Sequence, residues 1–93
     1  MEDILILAID IGNTNIVVGC IRGDEVLFTE RLSTNTTHTT LEYAISFKNV
    51  LEIYQIDAKE IEGAIISSVV PPITNVIRDS IHKIGRASCR ERV

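Results

Sequence analysis

Glycine and proline are scarce, 5 and 2 among 93 residues, which excludes a collagen-like or linker character. Disorder is excluded too, because 45% of the residues are hydrophobic and they are spread along the chain. No apolar run approaches the ~20 residues of a membrane span, and the Met-Glu-Asp start lacks the basic segment of a signal peptide. A cytoplasmic chain without a membrane partner is the expectation. Positive charge is also short: a net charge of -4 without a basic stripe argues against nucleic acid as a partner. Small phosphorylated ligands stay within reach, since backbone groups can hold them. The 2 cysteines, Cys20 and Cys89, make no disulfide framework, and Cys20, inside an apolar run, reads as a buried reduced thiol. His38 and His82 have no Cys or carboxylate partners at ligand spacing, so both read as solvated. One small domain, or part of one, remains.

Residues 84–93 break from the rest. Ile-Gly-Arg-Ala-Ser-Cys-Arg-Glu-Arg-Val is basic and aperiodic after an acidic, Ile-rich chain. The string resembles a conceptual translation of a sequencing-library adapter, which makes it a non-native tail to be left out of fold reasoning. Without Arg86, Arg90, Arg92 and Glu91 the rest carries 6 basic and 12 acidic residues, and Cys89 goes with the tail. The alternative is a genuine basic C-terminal tail. On the adapter reading the natural protein continues past Lys83.

Ile4 to Ile9 is a nearly unbroken apolar run ending at Asp10, the length of a strand buried on both faces. Asn15 to Ile21 is a second run, rich in β-branched residues, and Ile11-Gly12-Asn13-Thr14 between them has the Gly and Asn that a positive-φ turn favours. Arg22-Gly23-Asp24 is another turn signal, and Glu25 to Leu32 alternates as a third strand more exposed on one side. After a Thr-rich loop, Thr39 and Glu42 have the spacing of a capping box. Leu41, Ala44, Ile45, Phe47, Val50, Leu51 and Tyr54 then recur at helical spacing. Gly63 to Val70 is again a buried-strand pattern, closed by Pro71-Pro72, and Ile73, Val76, Ile77 and Ile81 share a second helical face. The periodicities predict strands near 4–10, 15–21, 25–32 and 63–69 and helices near 40–54 and 72–82.

Chemistry concentrates at Asp10-Ile11-Gly12-Asn13-Thr14-Asn15, at the junction of two buried strands. A carboxylate at the end of a core strand costs free energy unless paired, and a divalent cation is a natural partner. Gly12 allows a phosphate to approach the backbone, while turn N–H groups, the Thr14 hydroxyl and the Asn13 amide can donate to it. An ordinary hairpin turn with an exposed Asp is the competing interpretation. Arg31, Ser33 and Thr34 have two readings: they face a ligand at a strand end or, the favoured one, they end a strand and start a loop. Ser67 and Ser68 are polar groups at a strand's C-terminal end without a base to activate them. Asn35-Thr36-Thr37 fits the glycosylation pattern, which has no role in a cytoplasmic protein.

Three strands, helix, strand and helix, with Asp-x-Gly-x-Thr between the first two strands, resemble the actin-like (ribonuclease H-like) superfamily of phosphotransferases. Asp10-Ile11-Gly12-Asn13-Thr14, Arg31-Leu32-Ser33-Thr34 and Ser67-Ser68-Val69-Val70-Pro71 together resemble type III pantothenate kinase, over residues 1–83. The resemblance implies an α/β chain whose residues 1–83 are the N-terminal part of the first ATP-binding domain, βββαβα, truncated before the sheet is complete. It implies that Asp10, Ile11, Gly12, Asn13, Thr14, Asn15, Ile16 and Val17 form the first phosphate motif for ATP, with Asp10 positioning Mg2+. A monovalent cation (K+ or NH4+), pantothenate as acceptor and a homodimer are implied as well. The family's catalytic Asp lies in a Gly-Ala-Asp-Arg segment and its second phosphate motif in an Asp-x-Gly-Thr segment. Neither occurs in these 93 residues, so no catalytic base is assigned. The rival readings are a non-catalytic transcriptional accessory protein on the same fold and an actin-like kinase with another acceptor.

Overall fold

The structure is a computed structural model that describes residues 4–85 and the backbone of residues 88–92. The chain forms β1 (Leu5–Ile11), β2 (Asn15–Arg22), β3 (Glu25–Ser33), α1 (Thr40–Ile53), a short 3-10 turn (Ala58–Glu60), β4 (Ile61–Ser68), α2 (Pro71–Ile84) and β5 (Ser88–Arg92). The sheet order is β3-β2-β1-β4-β5. β1 to β3 form the expected antiparallel meander, and β4 runs parallel to β1.

Alternation along β1 sets the layers. Leu5, Leu7, Ile9 and Ile11 are buried, and their neighbours across the sheet are buried with them: Leu7 faces Cys20 and Ala64, and Ile9 faces Val18 and Ile66. One continuous core joins these side chains to Tyr43, Phe47, Val50 and Leu51 of α1 and to Ile73, Ile77 and Ile81 of α2. Both helices therefore lie on one face. The opposite face carries Ile6, Ala8 and Asp10, and Ile65 on it is 46% exposed. This corrects the reading of 4–9 and 63–70 as strands buried on both faces. A continuous apolar run does not tell a two-sided from a one-sided strand when its outward residues are also Ile and Ala. Cys20 is buried and unpaired among the described residues, and burial raises its thiol pKa above the usual range.

α1 differs from the predicted stripe in its rotation. Leu41 and Ile45 are 56% and 51% exposed, whereas Tyr43, outside the stripe, is 1% exposed. Tyr43 can take the interior because its hydroxyl finds both a donor and an acceptor at the backbone of Asn35. The helix opens on the predicted capping box: the Glu42 N–H donates to Thr39 Oγ1 at 3.2 Å and the Thr39 N–H donates to Glu42 Oε1 at 2.9 Å. It closes through Gln55 at φ 59°, with the N–H of Ile56 on the carbonyl of Leu51 and that of Gln55 on the carbonyl of Glu52. Tyr54 stacks on Phe28 with ring centroids 4.4 Å apart and donates to Glu30, tying this end to β3.

A fifth strand was not foreseen, because residues 84–93 were set aside as a tail. The backbone of β5 pairs parallel to β4, from Gly63 beside Ser88 to Ser67 beside Arg92. The edge of β4 offers a row of N–H and C=O groups, and a strand that pairs through its backbone needs no apolar pattern of its own.

The capping box yields a test. The Thr39 backbone and side-chain hydrogen bonds, followed by the nearby His38, hold the Glu42 carboxyl below its ordinary value of 4.5. A depressed carboxyl contributes stability that is present above its unfolded pKa and lost as pH falls through the folded one. Urea midpoints for wild type and Glu42→Gln should therefore differ at neutral pH and converge below pH 4.5. Thr39→Ala should cost about 1 kcal/mol near neutral pH with an unchanged urea m-value.

Candidate functional site

The β1–β2 connection is a short turn held by its neighbours. The Gly12 N–H donates to the Asn15 carbonyl at 2.9 Å. From outside the turn, Thr34 Oγ1 donates to the Gly12 carbonyl at 2.7 Å and the Thr34 N–H to the Thr14 carbonyl at 2.9 Å. The Val69 N–H donates to the Ile11 carbonyl at 3.0 Å, so the exit of β4 is fixed against the same turn. The expectation of positive φ in Ile11 to Thr14 is not met: among the described residues only Gln55 and Gly23 adopt it. Turn residues this rich in Asn and Gly favour a left-handed turn, but the connection turns over Asn13 and Thr14 without one and is held from outside by Thr34. At Gly12 a side chain would instead meet crowding. A Cβ there would stand 3.1 Å from the Asn15 carbonyl oxygen.

The predicted motif residues divide by burial. Ile11 and Ile16 are fully buried in the core, so their side chains are closed to any ligand. Asp10, Asn13 and Thr14 are exposed, and Gly12, Asn15 and Val17 are half-buried. The exposure of Asp10 corrects the argument that it needs a partner to offset desolvation: alternation with buried Ile9 and Ile11 turns it to the helix-free face, where water solvates it. Its neighbours in register are Val17 and Ser67, and Val17 is paired in turn with Arg31. Ser67, Asp10, Val17 and Arg31 thus form one row across the helix-free face. Ser67 and Arg31 are exposed. Ser68 is buried and accepts the Val70 N–H at 3.0 Å, so its hydroxyl is engaged at the start of α2.

Thr34, read from the sequence as the end of a strand, is part of the turn's framework. Its signal was the polar, Thr-rich stretch after β3, which carries no periodicity. His38, expected to be solvated, is half-buried, lies edge-on to Tyr43 at 5.2 Å and has Nε2 3.9 Å from the Glu42 carboxylate, with a buried Nδ1 that has no partner. The ring of Tyr43 draws it inward. Among the described residues no cluster of three or more His, Cys, Asp or Glu could hold a metal ion, and none of their helices is long and apolar enough to cross a membrane. The turn therefore offers one exposed carboxylate beside the hydroxyls of Ser67 and Thr14 and the amide of Asn13.

The sequence profile of type III pantothenate kinase matches residues 6–90. This chain belongs to the type III pantothenate kinase family. It is 45% identical over 83 residues to a type III pantothenate kinase of Finegoldia magna, covering 89% of this chain and 31% of that protein. A second, from an Exiguobacterium species, is 45% identical over 69 residues, covering 74% of this chain and 27% of that one. The family member described here thus spans about a third of the length of the curated relatives it matches, 31% of the first. Among solved structures, ROK hexokinase from Thermus thermophilus superposes with a TM-score of 0.62 at 12% identity, over 95% of this chain and 35% of that one. Thermus thermophilus RuvC follows at 0.54 and 14% identity, over 92% and 62%. At these identities the likeness shows the fold, an α/β actin-like (ribonuclease H-like) arrangement.

The crowding at Gly12 predicts a local penalty. Gly12→Ala should lower stability by about 1–2 kcal/mol, since the Asn15 carbonyl must retreat by a few tenths of an ångström. Urea unfolding measures the loss, and amide chemical-shift changes should be confined to residues near the turn and Thr34.

Proposed function

We propose that the complete protein acts in the cytoplasm as an ATP-dependent kinase that phosphorylates pantothenate to 4'-phosphopantothenate, the first step of coenzyme A biosynthesis. Residues 1–83 are then the N-terminal part of its first ATP-binding domain. The observation that carries this reading is the Asp10-Ile11-Gly12-Asn13-Thr14 turn, with its carboxylate and hydrogen-bond donors open to solvent, inside a chain of this family. Phosphoryl transfer asks the protein for positioning and charge neutralisation more than for covalent chemistry. In this reading the Asn13 N–H, the Asn13 amide and the Thr14 hydroxyl donate to ATP phosphate oxygens. Gly12, lacking a side chain, leaves the backbone open to them.

Mg2+ fits the donor set, because it is usually held by one or two carboxylates together with phosphate oxygens and water. Asp10 would hold it, with Ser67 beside it. Bound there, the ion would neutralise phosphate charge. The monovalent cation and the homodimer remain expectations of the family, and no residue described here is assigned to either. The reading of residues 84–93 as a non-native tail also stands as a proposal, which sequencing the parent locus past Lys83 tests.

Two measurements test the kinase reading. The 93-residue chain with ATP, Mg2+ and pantothenate should stay at background, since it carries no Gly-Ala-Asp-Arg or second phosphate segment. Turnover that Asp10→Ala abolishes would overturn this. In a protein of the relatives' full length, Asp10→Asn should lower turnover about 100-fold or more, while stability changes by no more than about 0.5 kcal/mol because the side chain is exposed. Unchanged turnover and Mg2+ dependence would return Asp10 to an ordinary turn residue, and turnover on an acceptor other than pantothenate would reassign the substrate.

A further inference from the structure

We infer that Thr34 is a positioning residue for the phosphate turn, an inference that rests on the proposed role of that turn and adds to it a residue from outside the motif. One side chain and its own amide hold two carbonyls of the turn, Gly12 at 2.7 Å and Thr14 at 2.9 Å. The amide bond continues the β2–β3 ladder, in which Asn15 already faces Ser33. The hydroxyl bond does not belong to the ladder: it reaches past β2 to a residue 22 positions earlier in the chain.

Its consequence follows from peptide geometry. A trans peptide points its C=O and the next residue's N–H in opposite directions. Holding the Gly12 carbonyl on Thr34 therefore turns the Asn13 N–H away from Thr34. No hydrogen bond within the described residues uses the N–H of Asn13 or of Thr14. Since no residue from Ile11 to Thr14 has positive φ, the turn has no left-handed residue to fix these directions by itself.

Thr34 is in turn anchored. The next residue, Asn35, donates its N–H to the Tyr43 hydroxyl at 2.9 Å, and that hydroxyl donates to the Asn35 carbonyl at 2.8 Å. Tyr43 is buried in the first turns of α1, just inside the capping box. The turn is thus tied through Thr34 and Asn35 to a side chain of the core.

The experiment uses a protein of the relatives' full length, labelled for NMR, as wild type, Thr34→Val and Thr34→Ser. Valine keeps the shape and the backbone amide and removes only the hydroxyl, whereas serine keeps the hydroxyl. Without ligand, Thr34→Val should lower heteronuclear NOE values at Gly12, Asn13 and Thr14 and leave β1 and α1 unchanged. On titration with Mg2+-ATP, wild type should shift the amides of residues 12–14, Thr34→Val should bind about ten-fold more weakly, and Thr34→Ser should bind like wild type. Unchanged order and equal ATP affinity in Thr34→Val overturn the positioning role while the turn keeps its phosphate assignment. Wild-type shifts that avoid residues 12–14, or no shifts at all, overturn the phosphate assignment itself and the inference with it. Should valine prevent folding, Thr34→Ala, which adds no atoms, makes the same comparison.

Discussion

The structure depends on the one-sided burial of β1 between β2 and β4. Leu7, Ile9 and Ile11 are fixed beneath the two helices, and a strand alternates strictly, so the direction of Asp10 is fixed with them. A slip of one residue in either pairing would carry the carboxylate into an apolar core and the isoleucines into water. The same pairing sets what lies beside Asp10. Parallel register with β4 brings Ser67 alongside, and the bond from Val69 to Ile11 keeps the start of α2 next to the turn. The placement of the polar groups at the strand end is thus set by packing several residues away from it.

Much of this was readable because the controlling signal is local. The strands and helices followed from the change between periods of 2 and 3.6, and the start of α1 from Thr39 and Glu42, whose hydrogen bonds span only three residues. Interactions spanning longer distances were not readable. Leu41 and Ile45 fit a helical stripe as well as Tyr43 does not, yet the partner that lets Tyr43 be buried is the backbone of Asn35, in a loop without periodicity. Thr34 looked like the end of a strand, and nothing local distinguishes a threonine facing solvent from one reaching back to Gly12. β5 escaped for the same reason: a backbone ladder against β4 leaves no trace in the composition of Ser88 to Arg92.

The turn illustrates how a glycine can be favoured by crowding without a special dihedral angle. Were its shape set by left-handed residues, successive N–H groups would converge into a concave anion site. Without them the turn is held from outside, by the two hydrogen bonds of Thr34. What it offers is a set of separated donors, the N–H groups of Asn13 and Thr14, which no hydrogen bond among the described residues uses, and two short polar side chains. A set of this kind can meet a ligand only by a few directed bonds, so its orientation depends on the rigidity of the framework behind it. That framework is the line from Thr34 through Asn35 to Tyr43.

Burial and exposure consequently fall to different residues of one motif. Ile11 and Ile16 belong to the core and fix the strands; Asp10, Asn13 and Thr14 are open to solvent and contribute little to it. Gly12 and Thr34 lie between these groups, half-buried and bonded to each other, and any change at either is felt on both sides. A sequence motif read as a single unit therefore separates in three dimensions into a supporting part and a solvent-exposed part. The supporting part extends beyond the motif, because the residue that connects the two comes from the far end of β3.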